Sequence, residues 1–393
     1  MTRTFSDTHG FARADVTLAT WRTAPYNVWA FQNLRDLVPT AEITCTKVEP
    51  EEAIAPGSIV DAPIDPGIDG ISKVGDFLRH AHTDGLVVMR SGKIVGEYYA
   101  PHADVNRPHV IFSVSKSLTA LISGILEGQG VIDPDKPVSA YIPEAAGSAY
   151  GDATYRDVLD MRVSLDFEEA YLDPNGAFAR YRRATLWNPR DPGLPNETLP
   201  DFLLSLKKAD RPHGGKFTYL SPNSDMLGML LERITGVRFA DLMSELLWKP
   251  LGARNNGYVT VDAVGSPRTA GGINVTTRDL ARVGELLRQG GAIGGRQIVK
   301  PAWIADMTQN GDRQAWIDGG SQLLANGRYR SKWYQTGEAD GSYCGIGIHG
   351  QWLWVDPSTE TVIATVSSQP IPINDAMEKD TISFFRAIGR LAL

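Results

Sequence analysis

The strongest chemical signal in the chain is a serine and a lysine three residues apart, in Ser113-Val114-Ser115-Lys116. Side chains at that spacing in the first turn of a helix share one face and can touch. A serine hydroxyl needs a nearby base before it attacks a carbonyl carbon. A lysine serves only if burial or a neighbouring positive charge lowers its pKa. The helix N-terminus would add a free backbone N–H and a field that favours a developing oxyanion. The competing reading is a capping serine followed by a solvated surface lysine.

The pattern alone is weak, because two fixed residues in four recur about once or twice by chance in a chain this long. Ser205-Leu206-Lys207-Lys208 fits it equally well but lies at the polar end of a predicted helix, where Lys208 would be solvated. Ser113 is favoured by its approach through Val110, Ile111 and Phe112 and by the strongly amphipathic pattern that follows. Tyr219, in Phe217-Thr218-Tyr219-Leu220-Ser221-Pro222-Asn223, precedes another predicted helix and could relay protons if a cation lowered its pKa; a core tyrosine is the plainer reading. In Gly345-Ile346-Gly347-Ile348-His349-Gly350 the glycines would let a strand approach a ligand and present an N–H to an oxyanion.

Metal chemistry is the rival. His80-Ala81-His82-Thr83-Asp84 begins like an HxHxDH metallohydrolase signature, but Gly85 stands where the last histidine belongs. The remaining histidines, His9, His102, His109, His213 and His349, are scattered. Neither a GxSxG elbow nor a P-loop is present, which removes the usual α/β-hydrolase and nucleotide readings. No metal and no cofactor is expected.

These residues need elements to hold them. The segment GLVVMRSGKIVGEYYA has two β-rich runs around Ser91-Gly92, the pattern of a hairpin. Leu118, Leu121, Ile122, Ile125 and Leu126 predict a helix from Ser113 that ends in Gly128-Gln129-Gly130. Helical patterns then dominate to about residue 260, including an apolar face of Leu227, Leu230, Leu231 and Ile234. A helix in TTRDLARVGELLRQGG leads to the strands GIGIHGQWLWVDP and TETVIATVSS. Strands at both ends with helices between them imply one sheet built from distant parts of the chain, an α+β fold. The expected division is a surface extension over 1–65, a sheet region over 66–112 and 261–393, and a mainly helical region over 113–260, in one domain overall.

With 393 residues, 42% hydrophobic and 22% charged, the composition is that of a globular enzyme. A net charge of −7 gives no reason to expect nucleic acid or an anionic membrane as partner. Cys45 and Cys344 are far apart and read as reduced thiols. The opening MTRTFSDTHGFARADVTLATW lacks the apolar core of a secretory signal, and no uncharged apolar run reaches the roughly 18 residues of a membrane span. A cytoplasmic location is expected, with a homodimer left open.

The S-x-x-K at Ser113, the Tyr-x-Ser at Tyr219 and Ser221, and the glycine-bearing strand stand in one order and resemble the serine β-lactamase-related family. The segments WRTAPYNVWAF, SVSKSL, YLDP, DLARVG and GIGIHGQWLWVDP resemble most closely its branch of 6-aminohexanoate-dimer hydrolases and related esterases. The resemblance implies the β-lactamase/DD-peptidase-like fold, an antiparallel sheet flanked by helices plus a helical lobe. It implies an acyl-forming nucleophile at Ser113, a base at Lys116, a proton shuttle at Tyr219, and an oxyanion hole of the Ser113 and Ile348 N–H groups. Tyr171, Trp187, Ser221 and His349 would line the substrate site. The Lys-Thr-Gly triplet of β-lactamases is absent beside His349, so efficient β-lactam hydrolysis is not expected. Arg182, Ala270 and Ile373 replace acidic and amide side chains of the branch, and an arginine would repel a substrate ammonium. The expectation is a serine hydrolase of small esters or amides, with weak action on the nylon dimer. The alternative is a binding or sensor protein that has kept the fold without turnover.

Overall fold

The computed structural model of the chain describes residues 4–52, 57–321 and 323–392; residues 1–3 and 53–56 of the expected extension lie outside the described residues. The hairpin at Ser91-Gly92 forms from β2 (Thr83–Arg90) and β3 (Lys93–Tyr99). β2 also pairs with β13 (Thr361–Ser367), and the sheet continues through β12 (Gln351–Asp356), β11 (Tyr343–Gly347), β10 (Trp333–Gln335) and β9 (Arg328–Arg330). All neighbours in this seven-stranded sheet are antiparallel. Successive side chains on a strand face opposite sides. Accordingly Leu353 and Val355 of β12 join one hydrophobic core, and Trp352 and Trp354 join the other. Helices cover both faces, which is why these strands are written as nearly unbroken apolar runs.

Helix Thr277–Arg288 packs on one face against β13, β12 and β2. On the other face helix Asp375–Arg390 sets Phe385 against Trp352, and Phe384 stacks on Phe77 at 4.0 Å. A second antiparallel sheet, which the sequence reading did not anticipate, orders β1 (Thr40–Ile43), β5 (Gly257–Thr260), β6 (Ile273–Val275) and β4 (His109–Val110). Its strands have two to four residues, too short for a period-two signal to register. A small hairpin, β7 (Ala292–Ile293) with β8 (Arg296–Gln297), stands apart. Among the described residues no helix is long and apolar enough to cross a membrane.

The N-terminal segment contributes core as well as cover. Trp21, Phe31 and Leu34 are fully buried and share a cluster with Phe112 and Trp187, while β1 pairs with β5. Helix Val114–Gly128 is buried on every side over residues 114–126, although its sequence reads as amphipathic. Its polar positions are satisfied internally. The Ser115 hydroxyl accepts from Ile273 N–H, Ser117 donates to the Lys332 carbonyl, and Ser123 pairs with Tyr155. Each bond removes the penalty of a buried polar group without a partner.

Close approach of helix to sheet depends on Gly284. A Cβ there would lie 2.4 Å from Val362 Cγ1 and 2.9 Å from Leu353 Cδ1. Gly284→Ala gains about 1 kcal/mol of helix propensity. Overpacking against β12 and β13 costs about 1–3 kcal/mol. The expected outcome is a lower denaturant midpoint despite the better helix former, measured by circular dichroism.

Candidate functional site

Ser113 sits at the N-cap of helix Val114–Gly128, and the residue before it, Phe112, has φ +40°. A bulky residue in that conformation is strained and persists only where its surroundings hold it. Trp21 stacks on the Phe112 ring at 6.1 Å, and Phe31 and Trp187 meet it edge-on at 5.0 and 6.0 Å. This aromatic layer turns the chain sharply into the helix and presents Ser113.

Lys116 Nζ donates to Ser113 Oγ at 2.8 Å and to the Ala270 carbonyl at 2.6 Å. The lysine is 1% exposed, and burial pushes its pKa down to about 8, with Arg268 adding to the depression and Glu169 and Asp225 opposing it. With that pKa about a tenth of the amine is unprotonated at pH 7, and this neutral fraction, which grows as pH rises, is able to accept the serine proton.

The Tyr219 hydroxyl lies near the side chains of Ser113 and Tyr334, both of which favour its ionised form, and its ring centroid lies 5.0 Å from Lys116 Nζ. Burial and then Glu169 raise its pKa, so the cation-lowered phenol that the sequence reading set as a condition for proton relay is not what the site provides. Tyr219 thus rests as a neutral phenol, a donor rather than a base. That state suits delivery of a proton to a leaving group.

The elements that hold Lys116 were invisible in the sequence. Asp225, fully buried on helix Pro222–Thr235, accepts from Arg268 Nη1 and from Ala270 N–H, both at 2.6 Å, and from the Tyr181 hydroxyl. The carboxylate therefore fixes the segment whose carbonyl binds Lys116. Tyr334 of β10 stacks on the Tyr219 ring at 6.3 Å, and Glu169 acts electrostatically on both Tyr219 and Lys116. Their isolated positions carry no motif, so only packing reveals them.

Strand β11 passes the nucleophile closely. A Cβ on Gly347 would lie 3.1 Å from Ser113 N and 2.8 Å from the Ile111 carbonyl, so only glycine allows the approach. Ile348 follows directly, and with Ser113 and Tyr171 it lines two spaces. The larger is a cavity of about 370 Å³ walled by Phe217, Tyr219, Trp316, Tyr334, Ile373 and Glu378. The smaller, a cleft of about 20 Å³, is bounded by Trp187, Ser221, Arg182 and Ala270.

The substrate-contact candidates fare differently. Tyr171 and Ser221 both give their hydroxyls to Glu169. Trp187 is buried, its Nε1 donating to Thr260 Oγ1 at 3.1 Å. His349 packs between Phe31 and Phe112 with Nδ1 on the Gln369 carbonyl, and burial lowers its pKa to about 4. It belongs to the aromatic layer that supports Phe112. Arg182 donates to the Tyr171 carbonyl and stays cationic, its pKa lowered by burial only to about 10. Ala270 acts through its backbone, and Ile373 is half exposed at the cavity wall.

The decoy and the metal signature come apart. Ser205 Oγ donates to Phe202 O, while Lys208 pairs with Asp152 at the surface. His80 faces Asp380, His82 is exposed, and Asp84 is buried between His102 and His109, so the three do not converge.

A sequence profile described as Beta-lactamase matches residues 72–385. A 6-aminohexanoate-dimer hydrolase of Paenarthrobacter ureafaciens is 37% identical over 364 residues, covering 92% of this chain and 91% of that relative. Among solved structures, a Bacillus anthracis protein provisionally described as a 6-aminohexanoate-dimer hydrolase superposes with a TM-score of 0.86 at 25% identity, covering 96% and 97% of the two chains. EstCE1, a hydrolase with promiscuous acyltransferase activity, shares the fold with a TM-score of 0.57 at 16% identity over 79% of this chain and 98% of its own.

Two outcomes test the geometry. Labelling of Ser113 by an organophosphonate should accelerate as pH rises through about 8, because the reactive amine is the unprotonated form above the Lys116 pKa; a flat profile would remove Lys116 as base. Asp225→Asn leaves Arg268 buried without its counter-charge. It should destabilise the fold by about 3–5 kcal/mol, read as a lower unfolding midpoint.

Proposed function

The chain belongs to the beta-lactamase family, and from that premise we propose that it hydrolyses small esters, and more slowly amides, through an acyl-enzyme on Ser113. The observation that carries this reading is the 2.8 Å contact between Ser113 Oγ and a buried lysine whose charge is suppressed.

In the proposed cycle neutral Lys116 takes the Ser113 proton as Oγ bonds to the substrate carbonyl carbon. The negative charge that develops on the carbonyl oxygen is received by the N–H groups of Ser113 and Ile348. Collapse of this adduct breaks the bond to the alcohol or amine. That leaving group takes its proton from Tyr219, which is resupplied by the Lys116 ammonium. Water then attacks the acyl carbon and yields its proton to the same pair, and Ser113 leaves protonated. No step draws on a metal or organic cofactor.

Substrate preference follows from charge. Arg182 lines the narrow cleft beside Ser113 and would repel an ammonium placed there, so a 6-aminohexanoate dimer whose amino end enters that cleft is expected to be a poor substrate. A cytoplasmic enzyme acting on small molecules fits this reading, without nucleic acid or membrane as partner.

The experiment is hydrolysis of short-chain p-nitrophenyl esters and of the dimer by wild type, Ser113→Ala and Ser205→Ala. Ester turnover should fall by at least about a thousandfold in Ser113→Ala and persist in Ser205→Ala. Dimer cleavage should trail ester cleavage. Full activity in Ser113→Ala would overturn the assignment, and a stable serine adduct without turnover would favour a binding or sensor role.

A further inference from the structure

The larger cavity is lined by two charged side chains that the proposed cycle does not use, the exposed Lys216 and the half-buried Glu378. Glu378 lies in the first turn of helix Asp375–Arg390, which Asn374 caps through Met377 N, and it lines the cavity together with Tyr219, Trp316, Tyr334 and Ile373. Its carboxylate is half-buried and makes no hydrogen bond or ion pair among the described residues. Burial, and then Asp375 on the same helix, push its pKa up to about 7, against the helix N-terminus, which favours an anion. From other elements it faces Lys216 on the cavity wall and the hydroxyl or thiol groups of Tyr219, Tyr334 and Cys344. Lys216 is exposed and forms no ion pair with it among the described residues.

A carboxylate held in an apolar space without a partner is costly, and a ligand that completes its bonding recovers the cost. A neutral donor would be met by the protonated acid. A cation recovers more, because it restores the ionised form and gains a charge-assisted bond. A metal ion would need further ligands, and no group of three or more such side chains occurs among the described residues. An alkylammonium needs only one carboxylate, and three aromatic residues, Tyr219, Tyr334 and Trp316, line the same space, a setting that favours a cation.

We propose that Glu378 is a specificity residue that selects substrates carrying an alkylammonium group on the arm that occupies the larger cavity. The proposal rests on the hydrolase reading and deepens it. Arg182 bounds the cleft and Glu378 the cavity, so a cation is rejected in one space and accepted in the other.

Two measurements test it. Calorimetric binding of n-hexylammonium and of hexanol is compared in wild type and Glu378→Gln at about pH 8, where the carboxylate is ionised and the alkylamine cationic. In parallel, the kcat/KM ratio of amino-bearing to uncharged esters of equal chain length is measured, with the amine on the acyl arm or on the alcohol arm. Wild type should bind the ammonium about tenfold more tightly than the alcohol. Glu378→Gln should erase that preference and lower the ester ratio on one arm by a similar factor. Glu245→Gln, a remote exposed carboxylate, controls for net charge. A wild type without preference, or a Glu378→Gln variant that keeps it, overturns the proposal. The binding arm needs no turnover. Ester cleavage surviving in Ser113→Ala would therefore sink the hydrolase reading while calorimetry still decided the role of Glu378.

Discussion

Burying a lysine so that its charge is suppressed yet its hydrogen bonds are kept is the constraint around which this structure is arranged. Desolvation alone would drive the amine fully neutral, and unopposed carboxylates would keep it cationic. Lys116 lies between these limits because Arg268 pushes its pKa down while Glu169 and Asp225 push it up. The Asp225–Arg268 pair has a second role, since the same carboxylate anchors Ala270, whose carbonyl fixes the amine. Charge tuning and positioning thus run through one buried network.

Ser113 faces a different demand, a sharp entry into its helix. Phe112 accepts the strained conformation because Trp21, Phe31 and Trp187 enclose its ring, and His349 fills the remaining side. Such strain costs about 1–3 kcal/mol and must be offset by packing. The N-terminal segment supplies two of those four rings, so residues far from the reacting atoms help to set the serine.

Around Ser113 the field is divided. Arg182 and Arg268 bound the cleft, with Arg22 nearby, whereas the cavity is lined by Glu378, which has no ion pair among the described residues, and by the exposed Lys216. Gly347 of β11 lets the strand pass close to Ser113, which lines both spaces.

Much of this was legible along the chain. The Ser113–Lys116 spacing, the hairpin at Ser91-Gly92 and the helices beginning near Ser113 and Thr277 depend on residues close in sequence, and local periodicity reports them. Membership in the family was legible too, because three motifs stand in one order. The second sheet was not, since its strands are too short to show a period and two of its three pairings join residues more than a hundred positions apart. Nor was the burial of helix Val114–Gly128, whose serines and threonine look solvent-facing until their partners on other segments are known. Asp225, Arg268, Glu169, Tyr334 and Glu378 carry no motif, and His349 proved a packing residue because the ring's environment is set by Phe31 and Phe112. The sequence by itself determined which groups could react and which helix would carry them. Only the tertiary structure decided their protonation and the charge of each space around them, because desolvation and Coulomb interaction depend on distances between segments that the linear order does not contain.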